Sequence, residues 1–511
     1  ADATEADVSE ADLDQEEQEK QPMTGGAERA EDAPSAEEKN GSVKLKIPVV
    51  KFTGLNKEEL LRVAGTPGWV RTRWSLLVVF WLGWLGMLGG AVLIVLQAPR
   101  CRDLPSSSWW NEGPMYQIGD IKVFSAPMDL KGPPSGVEQK VGRLSQMKVK
   151  GLLIGPIHVA PADDAVGLRF EEVSSESGTL DQFKDLVHAA HKKGISVVLD
   201  LTPNYRGSSG PWFSNTSVTN VAERLKSALV FWMKQGVDGV QLSGVERVAA
   251  MAPSLWTDIR AIVHNGTESR VLIGVTERSA AEDVSVLLNS TGVDLLVSGV
   301  LRAGGRDAAE LAESVQLLYS SHSQLGLAWR LAGRAGGHLA SLGGPALVKL
   351  HQLLLLTLPG TPVFNYGDEI GLRDEPFVLK DNAFPKMLWD SDEELNGTLK
   401  EKRAERLSCL RFFSAASELR AKERSLLFGD FLLLSNSSSF LAYLRTWDQS
   451  ERYVAAFNWA GQEARLQLGG AALPRKAEVV LRTDGSGGVV DLTELRLGPG
   501  QAALLRFPYP G

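Results

Sequence analysis

The amino-acid sequence predicts an α/β protein with a single transmembrane helix, a (β/α)8 barrel and a C-terminal antiparallel β domain. Three patterns predict it: an uncharged apolar segment, about 300 residues of alternating strand and helix patterns, and a final region of strands alone. We therefore divide the chain into a cytoplasmic tail, a transmembrane helix, a stalk, a barrel and a β domain. These parts cover residues 1–73, 74–99, 100–107, 108–420 and 421–511.

The uncharged segment predicts a membrane anchor. Residues 74–99 form a run of 26 residues without Asp, Glu, Lys or Arg. Because a helix rises about 1.5 Å per residue, roughly 20 residues suffice to cross the hydrocarbon core of a bilayer. The apolar part of a cleaved signal peptide is only about 7–15 residues long. We therefore expect a transmembrane helix here rather than a buried helix of a soluble protein.

Basic residues on either side of the segment predict its orientation. Residues 41–73 contain seven Lys and Arg, whereas the first 20 residues after the segment contain two, Arg100 and Arg102. Because cytoplasmic flanks carry the excess of Lys and Arg, we expect the N-terminus in the cytosol. The 412 residues after the segment then lie outside the cell, as in a type II membrane protein.

The net charge of −8 is unevenly distributed. Residues 1–40 contain 14 acidic and three basic residues and few apolar ones, which predicts disorder. Residues 41–99 carry a net charge of +5, which suits contact with the anionic lipids of the cytoplasmic leaflet. Within this part, Asn56 to Glu59 has capping-box spacing and predicts a short helix that ends near Gly65. The remainder has no excess of positive charge, so nucleic acid is not an expected partner.

The chain has only two cysteines, Cys101 and Cys409. A protein outside the cell with so few cysteines is expected to be stabilised by its core rather than by disulfides. Cys101 stands between two arginines just beyond the transmembrane segment, whereas Cys409 lies in an apolar helical pattern typical of a buried free thiol. The unpaired thiol at Cys101 predicts an intermolecular disulfide.

Sequence motifs for N-glycosylation fall on the predicted extracellular side. The motif Asn-x-Ser/Thr marks an acceptor asparagine in proteins that enter the secretory pathway. Five such asparagines together predict a glycoprotein, and they are Asn215, Asn265, Asn289, Asn396 and Asn436. A sixth motif, at Asn40, lies on the predicted cytosolic side and should remain unmodified.

Three glycines share one face of the predicted transmembrane helix. Gly83, Gly86 and Gly90 recur at positions i, i+3 and i+7. Small residues allow a second helix to approach the backbone closely, so these glycines are candidates for helix packing. Glycine is also common in membrane helices in general, and both interpretations remain open.

Short apolar runs after Trp109 predict the barrel strands, which are residues 151–155, 195–200, 239–242, 271–274, 294–297 and 362–364. Between them lie helical patterns such as residues 180–193 and 221–235. Strands and helices in alternation indicate a parallel barrel. After residue 420 only strands are predicted, at residues 439–445, 452–458, 464–468, 477–481 and 502–507. Turns rich in Gly, Pro and Asp divide them, which is typical of an antiparallel domain.

Several motifs resemble the α-amylase family of glycoside hydrolases. The most specific is the 14-residue run Leu358–Gly371, and the others are Trp109-Trp110, Tyr116–Ile118, Gly178–Asp181, Leu199–Asn204 and Gly236–Gly239. The resemblance covers about residue 108 to the end of the chain. It implies the barrel and the β domain, with a catalytic nucleophile after the fourth barrel strand and a catalytic acid after the fifth.

Neither catalytic position carries a carboxylate in this chain. The family pattern Gly-x-Asp-Gly-Phe-Arg-x-Asp reads here as Gly236 to Ser243, so Ser243 stands at the nucleophile position. The acid position after Gly274 is Val275. A retaining glycosidase needs two carboxyl groups, and a serine without an adjacent base is not activated. We therefore expect a catalytically silent barrel with no metal ion and no cofactor.

Other positions of the family pattern also differ. The arginine position is Gln241, the first-region histidine position is Tyr205, and the long insertion after the third strand is missing. The competing interpretation is a membrane-anchored ectoenzyme of α-glucoside chemistry with a rebuilt active site. Glu277 and Asp200 are the carboxylates that such an enzyme could use.

The whole chain resembles the heavy subunits of heteromeric amino acid transporters. The resemblance extends into the tail, where Lys51–Leu60 and Pro67–Trp74 match that family. It implies a protein of the plasma membrane that does not itself transport amino acids. The implied partner is a multi-span light chain, joined through Cys101 and the transmembrane helix, for which the heavy chain acts as a chaperone. An association with integrins is also implied.

Overall fold

The computed structural model describes residues 56–98, 101–124, 133–266, 269–302, 307–333, 337–374, 384–388, 397–470 and 473–510. The chain divides into two compact units, Ala1–Pro99 and Arg100–Gly511. The predicted disordered tail, Asn40 and Asn396 lie outside the described residues.

The first unit contains two helices, α1 (Lys57–Ala64) and α2 (Pro67–Gln97). The Asn56 side chain caps α1 by accepting a hydrogen bond from the backbone N–H of Lys57 at 2.9 Å. In a capping box the cap side chain would instead bond to the residue three positions later. Proline is favoured at the first position of a helix, and α2 begins at Pro67, seven residues before the uncharged segment. Its 31 residues span about 46 Å. Among the described residues, it is the one helix long and apolar enough to cross a membrane.

The second unit is built on a closed barrel of eight parallel strands, as the sequence predicts. The strands up to residue 365 are β1 Met115–Ile118, β2 Gly151–Ile154, β3 His158–Val159, β4 Arg169–Val173, β5 Ser196–Asp200, β6 Gly239–Ser243, β7 Val271–Val275, β8 Leu295–Val297, β9 Leu327–Trp329 and β10 Thr361–Asn365. The barrel closes in the order β1-β10-β9-β8-β7-β6-β5-β2, while β3 and β4 form a separate antiparallel pair. The sequence patterns predict six barrel strands and do not identify β1 or β9.

Helices surround the barrel and follow most of its strands. They are α3 Pro133–Gln146, α4 Leu180–Lys192, α5 Val218–Lys234, α6 Val245–Met251, α7 Pro253–Val263, α8 Ala281–Thr291, α9 Ala308–Ser321, α10 Leu339–Leu342, α11 Val348–Thr357, α12 Thr398–Lys422 and α13 Arg424–Leu427. Side chains alternate along each strand between two cores. In β7, for example, Leu272 packs in the layer under the helices, whereas Val271, Ile273 and Val275 fill the barrel interior.

The β domain follows α13. Its strands are β11 Asp430–Asn436, β12 Phe440–Thr446, β13 Arg452–Asn458, β14 Ala464–Leu466, β15 Lys476–Arg482, β16 Gly488–Asp491, β17 Leu495–Leu497 and β18 Ala502–Phe507. Six of them form an antiparallel sheet in the order β11-β12-β13-β18-β15-β16, and β14 pairs with β17. Tyr443 and Phe457 on one face join the barrel core, while Leu444 and Val454 on the other face pack in a second core.

Two buried arginines bind the end of α11 and its neighbourhood, and one of them, Arg445, joins the β domain to the barrel. Arg420 of α12 is 1% exposed and donates hydrogen bonds to the carbonyl groups of Leu356 at 2.8 Å, Leu358 at 3.1 Å, Leu426 at 3.1 Å and Gly360. Arg445 of β12 is 0% exposed and donates to the carbonyl groups of Thr357 at 2.5 Å and Gly429 at 2.9 Å. Burial lowers the pKa of Arg420 to about 9 and that of Arg445 to about 10, so both stay charged at neutral pH.

Two buried carboxyl groups lie in the turn after β10. Glu369 accepts a hydrogen bond from the Tyr116 hydroxyl at 2.9 Å, and its second oxygen is buried without a partner. Asp368 accepts from the backbone N–H groups of Leu339 and Asn365, both at 2.9 Å. Burial raises the pKa of Glu369 to about 7 and that of Asp368 to about 6. The 14-residue motif of the sequence analysis therefore supplies packing contacts rather than ionised groups facing solvent.

We expect Arg420→Met to lower the free energy of unfolding of the segment Arg100–Gly511 by roughly 1–3 kcal/mol. The reason is that four buried carbonyl groups lose their donor. Urea unfolding followed by circular dichroism measures the change. Arg411→Met, at an exposed position of the same helix, is the matched control and should change stability by no more than about 0.5 kcal/mol. Equal losses in the two variants would contradict the role of Arg420.

We expect the stability of the same segment to fall as the pH rises from about 5 to 8, in part through Glu369. The unfolded state releases the Glu369 proton near pH 4.5, whereas the folded state holds it until about pH 7, so a rising pH favours unfolding. Glu369→Gln keeps an acceptor for Tyr116 and should remove on the order of 1–3 kcal/mol of this loss. Unfolding curves across the pH range measure it, with exposed Glu171→Gln as control. An unchanged pH dependence in Glu369→Gln would refute the assignment.

Candidate functional site

A cavity of about 700 Å³ opens at the C-terminal ends of the barrel strands. Ser243 at the end of β6 and Val275 at the end of β7 both line it. The loops that follow the strands supply the rest of the wall, including Thr202 and Arg302. Active sites of barrel enzymes occupy this end of the fold, so the cavity is where catalytic groups would be expected.

The two positions that lack carboxylates are neighbours in the barrel. Ser243 and Val275 are paired in the parallel register of β6 and β7. The backbone of Ser243 is engaged on both sides, since its N–H donates to the Thr202 hydroxyl at 3.0 Å and its carbonyl accepts from the Trp212 indole at 2.8 Å. Val275 is 2% exposed and packs in the barrel interior. Neither side chain can serve as a carboxylate nucleophile or acid.

Asp200 at the end of β5 is fully engaged in the barrel. Its side chain accepts hydrogen bonds from the Gln241 amide at 2.9 Å and from the backbone N–H of Thr202 at 2.9 Å. Asp200 is 1% exposed and Gln241 is also 1% exposed. A carboxylate this enclosed holds the strand ends together and is not directed at a substrate in the cavity.

Two glutamates line the cavity. Glu277 is exposed and forms an ion pair with Arg302 at the rim. Glu246 in the first turn of α6 accepts a hydrogen bond from the Thr276 hydroxyl at 3.2 Å, and its second oxygen is buried without a partner. Glu246 is not among the carboxylates predicted from the sequence. Its position three residues after Ser243, where the chain turns from β6 into α6, could have indicated it.

The loop between β5 and α5 is hydrogen-bonded to Asp163, which lies between β3 and β4. The Asn204 amide donates to Asp163 at 2.9 Å and to the carbonyl of Gly210 at 2.9 Å. Asp163 also accepts from the hydroxyl and N–H groups of Ser208 and Ser209, and these hydrogen bonds hold its pKa well below the usual range. In the part of the chain that the structure describes, no group of three or more His, Cys, Asp or Glu could hold a metal ion.

The two cysteines lie in different surroundings and are not paired with each other. Cys101 is exposed, and Cys409 is half-buried in α12. The residue after Cys101 is attached to the β domain: Arg102 forms an ion pair with Asp430 at 2.9 Å, and its backbone N–H donates to Asp448 at 3.1 Å. The Arg102 guanidinium also lies over the Trp447 ring, 4.5 Å from its centre. These contacts, which the sequence analysis does not predict, fix the position of the chain next to Cys101.

The glycosylation motifs that the structure describes lie at or near the surface. Asn215, Asn265 and Asn289 are exposed, and Asn436 is half-buried at the end of β11. The Thr291 hydroxyl of the third motif is engaged, since it donates to the carbonyl of Leu287 at 2.7 Å. In α2, a β-carbon added at Gly83, Gly86 or Gly90 would meet no described atom within 4 Å apart from the helix's own adjacent backbone.

Comparison with known proteins identifies two families along the chain. The family described as the N-terminus of solute carrier family 3 member 2 matches residues 42–116, and the catalytic domain of α-amylases matches residues 120–220. The trehalulose synthase MutB from Pseudomonas mesoacidophila has a similar structure, with a TM-score of 0.64, 16% identity and coverage of 79% of this chain and 100% of that one. At this identity the likeness concerns the fold alone.

Two relatives cover most of the chain. The amino acid transporter heavy chain SLC3A1 of Rattus norvegicus is 22% identical, over 89% of this chain and 86% of its own length. The amino acid transporter heavy chain SLC3A2 of Oryctolagus cuniculus is 42% identical, over 99% of both chains. The similarity thus includes the tail, α2, the barrel and the β domain, and the chain belongs to the SLC3A2 family of amino acid transporter heavy chains.

Proposed function

We propose that this chain is the accessory heavy subunit of a heteromeric amino acid transporter and acts as a chaperone for a multi-span light chain. The observation that carries the proposal is α2, the one described helix long and apolar enough to cross a membrane, in a chain similar over its full length to transporter heavy chains. A transport pathway is built between several membrane helices, which the light chain would supply. The heavy chain would bring that partner to the plasma membrane.

The proposed orientation is type II, with the N-terminus in the cytosol. The excess of basic residues before α2 supports it, and Arg71 and Arg73 within the first turns of α2 would lie at the cytoplasmic headgroups. The basic tail would also contact anionic lipids, and an association with integrins would involve the tail and α2. The barrel, the β domain and the sugar-bearing asparagines would lie outside the cell.

Cys101 is proposed to form the disulfide with the light chain. It is exposed and unpaired, and the contacts of Arg102 with Asp430 and Asp448 hold the neighbouring backbone in place. A thiol held in place can meet its partner thiol in one geometry, because a disulfide requires the two α-carbons to be within about 7 Å. The glycine face of α2 would supply the noncovalent contact within the membrane.

The barrel is proposed to be a scaffold rather than an enzyme. Ser243 and Val275 occupy the two strand ends where carboxyl groups would be required, and Asp200 is enclosed. The alternative, an α-glucoside-processing ectoenzyme, would depend on the two glutamates of the cavity. The ion pair of Glu277 with Arg302 and the enclosed oxygen of Glu246 argue against that use.

We expect the purified segment Arg100–Gly511 to hydrolyse maltose and chromogenic α-glucosides no faster than the uncatalysed background. Ser243→Asp combined with Val275→Glu should not create activity, because Gln241 and Tyr205 stand where the family has an arginine and a histidine. Product release measured by a coupled glucose assay tests both statements. Activity of the unmodified segment that Glu277→Gln or Glu246→Gln abolishes would establish the ectoenzyme instead.

We expect Cys101→Ser to remove the high-mass band seen in non-reducing electrophoresis while most of the light chain still co-purifies. A disulfide closes an association that noncovalent contacts have already formed. Replacing Gly83, Gly86 and Gly90 with leucine should instead reduce co-purification itself, since the helices could no longer approach closely. Reducing and non-reducing gels of the native membrane protein, with mass spectrometry of the released chain, provide the measurement.

Two control variants accompany this experiment. Cys409→Ser changes the half-buried thiol and should leave the high-mass band intact. Leucine at Ala91, Val92 and Val95 adds bulk on the other side of α2 and should leave co-purification unchanged. Loss of the band in Cys409→Ser, or equal losses from both leucine sets, would show that the linkage or the packing face is wrongly assigned.

A further inference from the structure

Asn215 lies beside the cavity at the end of the loop between β5 and α5. It is exposed, and its side-chain oxygen accepts two hydrogen bonds from Arg247, from Nε at 3.1 Å and from Nη2 at 2.6 Å. Arg247 itself lines the cavity, as do Gly210 and Pro211 of the same loop. A single arginine therefore contacts both the cavity and the asparagine.

The loop that carries Asn215 is held against the barrel. The Trp212 indole donates to the carbonyl of Ser243 at 2.8 Å, and Trp212 is 0% exposed. The Ser214 hydroxyl is within hydrogen-bonding distance of the hydroxyls of Thr216 at 2.9 Å and of Ser217 at 3.2 Å. Asn215 thus has a fixed place at the rim, and a group attached to it would start there.

The hydrogen bonds of Asn215 are compatible with glycosylation. An N-glycan is attached to the side-chain nitrogen, and the side-chain oxygen stays an acceptor. Arg247 donates to that oxygen, so it would keep its contact and orient the first sugar. The rim also offers the ion pair of Glu277 and Arg302, which presents donors and acceptors suited to hydroxyl and acetamido groups.

We propose that an N-glycan on Asn215 covers the mouth of the barrel cavity, so that the chain's own sugar closes the site where a glycosidase would bind its substrate. The inference rests on the extracellular placement of the barrel in the proposed function and goes beyond it. It assigns the glycan a position over the cavity, beside the β5–α5 loop that contributes one wall. The sugar at the mouth of the cavity would be covalently attached to the chain and would therefore stay in place.

The test uses the full-length protein from animal cells, with a thiol in the cavity as reporter. Ser243→Cys is introduced in a Cys101→Ser background, and the rate of labelling by a polyethylene-glycol maleimide is measured without denaturant. Ser217→Ala then removes the glycosylation motif while keeping Asn215 and its contacts with Arg247. We expect labelling to become several-fold faster when the glycan is absent. A second reporter, Leu342→Cys at another part of the lining, repeats the measurement if Ser243→Cys fails to fold.

Two controls make the outcome specific. Thr267→Ala removes the motif of Asn265, which lies between α7 and β7 and hence at the opposite end of the barrel, and should not change the labelling rate. The background protein without the reporter gives the contribution of Cys409. Glycopeptide mass spectrometry of the same samples establishes which asparagines carry sugar.

The results separate this inference from the proposed function. Sugar on Asn265 and Asn289 with a bare Asn215, or an occupied Asn215 whose removal leaves the labelling rate unchanged, would overturn the inference alone. Bare asparagines at all five motifs would instead contradict the extracellular placement on which the proposed function depends. Faster labelling in Ser217→Ala but not in Thr267→Ala is the expected result.

Discussion

The burial of two arginine side chains against backbone carbonyls is the interaction on which the second unit depends. Arg420 and Arg445 come from α12 and β12, yet both donate to carbonyl groups at the end of α11, and Arg420 also donates to the turn that leads into β10. β10 closes the barrel between β9 and β1, so the segment that they hold leads directly into the closing strand. A buried cation is costly unless its donors are satisfied. Here backbone carbonyl groups accept from the Nη1 and Nη2 atoms of both arginines, whereas the two Nε atoms are buried without a partner among the described residues. Barrel closure and docking of the β domain are therefore coupled.

The same part of the chain shows what the most specific sequence motif contributes to the fold. Leu358 and Gly360 present carbonyl groups to Arg420, while Asp368 and Glu369 are buried under the turn after β10. The motif thus spans the closing strand and connects its two ends to the rest of the fold. Such a motif can be required for packing alone. Resemblance over this run therefore indicates the barrel fold, whereas the presence of catalytic groups depends on the residues at the ends of β6 and β7.

The sequence predicts best what depends on local pattern. The apolar runs of β2, β5 and β7 indicate the barrel because parallel strands are buried on both faces. β1 and β9 are not identified from such runs, and in the folded barrel neighbouring strands on both sides supply their hydrogen bonds. At the site, the losses at Ser243 and Val275 can be predicted by alignment with the family pattern. The contacts of Glu246 and of Arg102 with residues 30 to 346 positions away cannot, since only the folded chain brings them together.

The loss of a carboxyl group at Val275 has a physical counterpart in the barrel interior. Val271, Ile273 and Val275 form one column of apolar side chains, and Val275 is 2% exposed at its end. A glutamate at this place would have to leave the column or carry its charge into an apolar environment, which destabilises the fold unless it is paired. Ser243 likewise uses its backbone to hold Trp212 and Thr202. The residues at the two strand ends therefore stabilise the barrel and its adjoining loop.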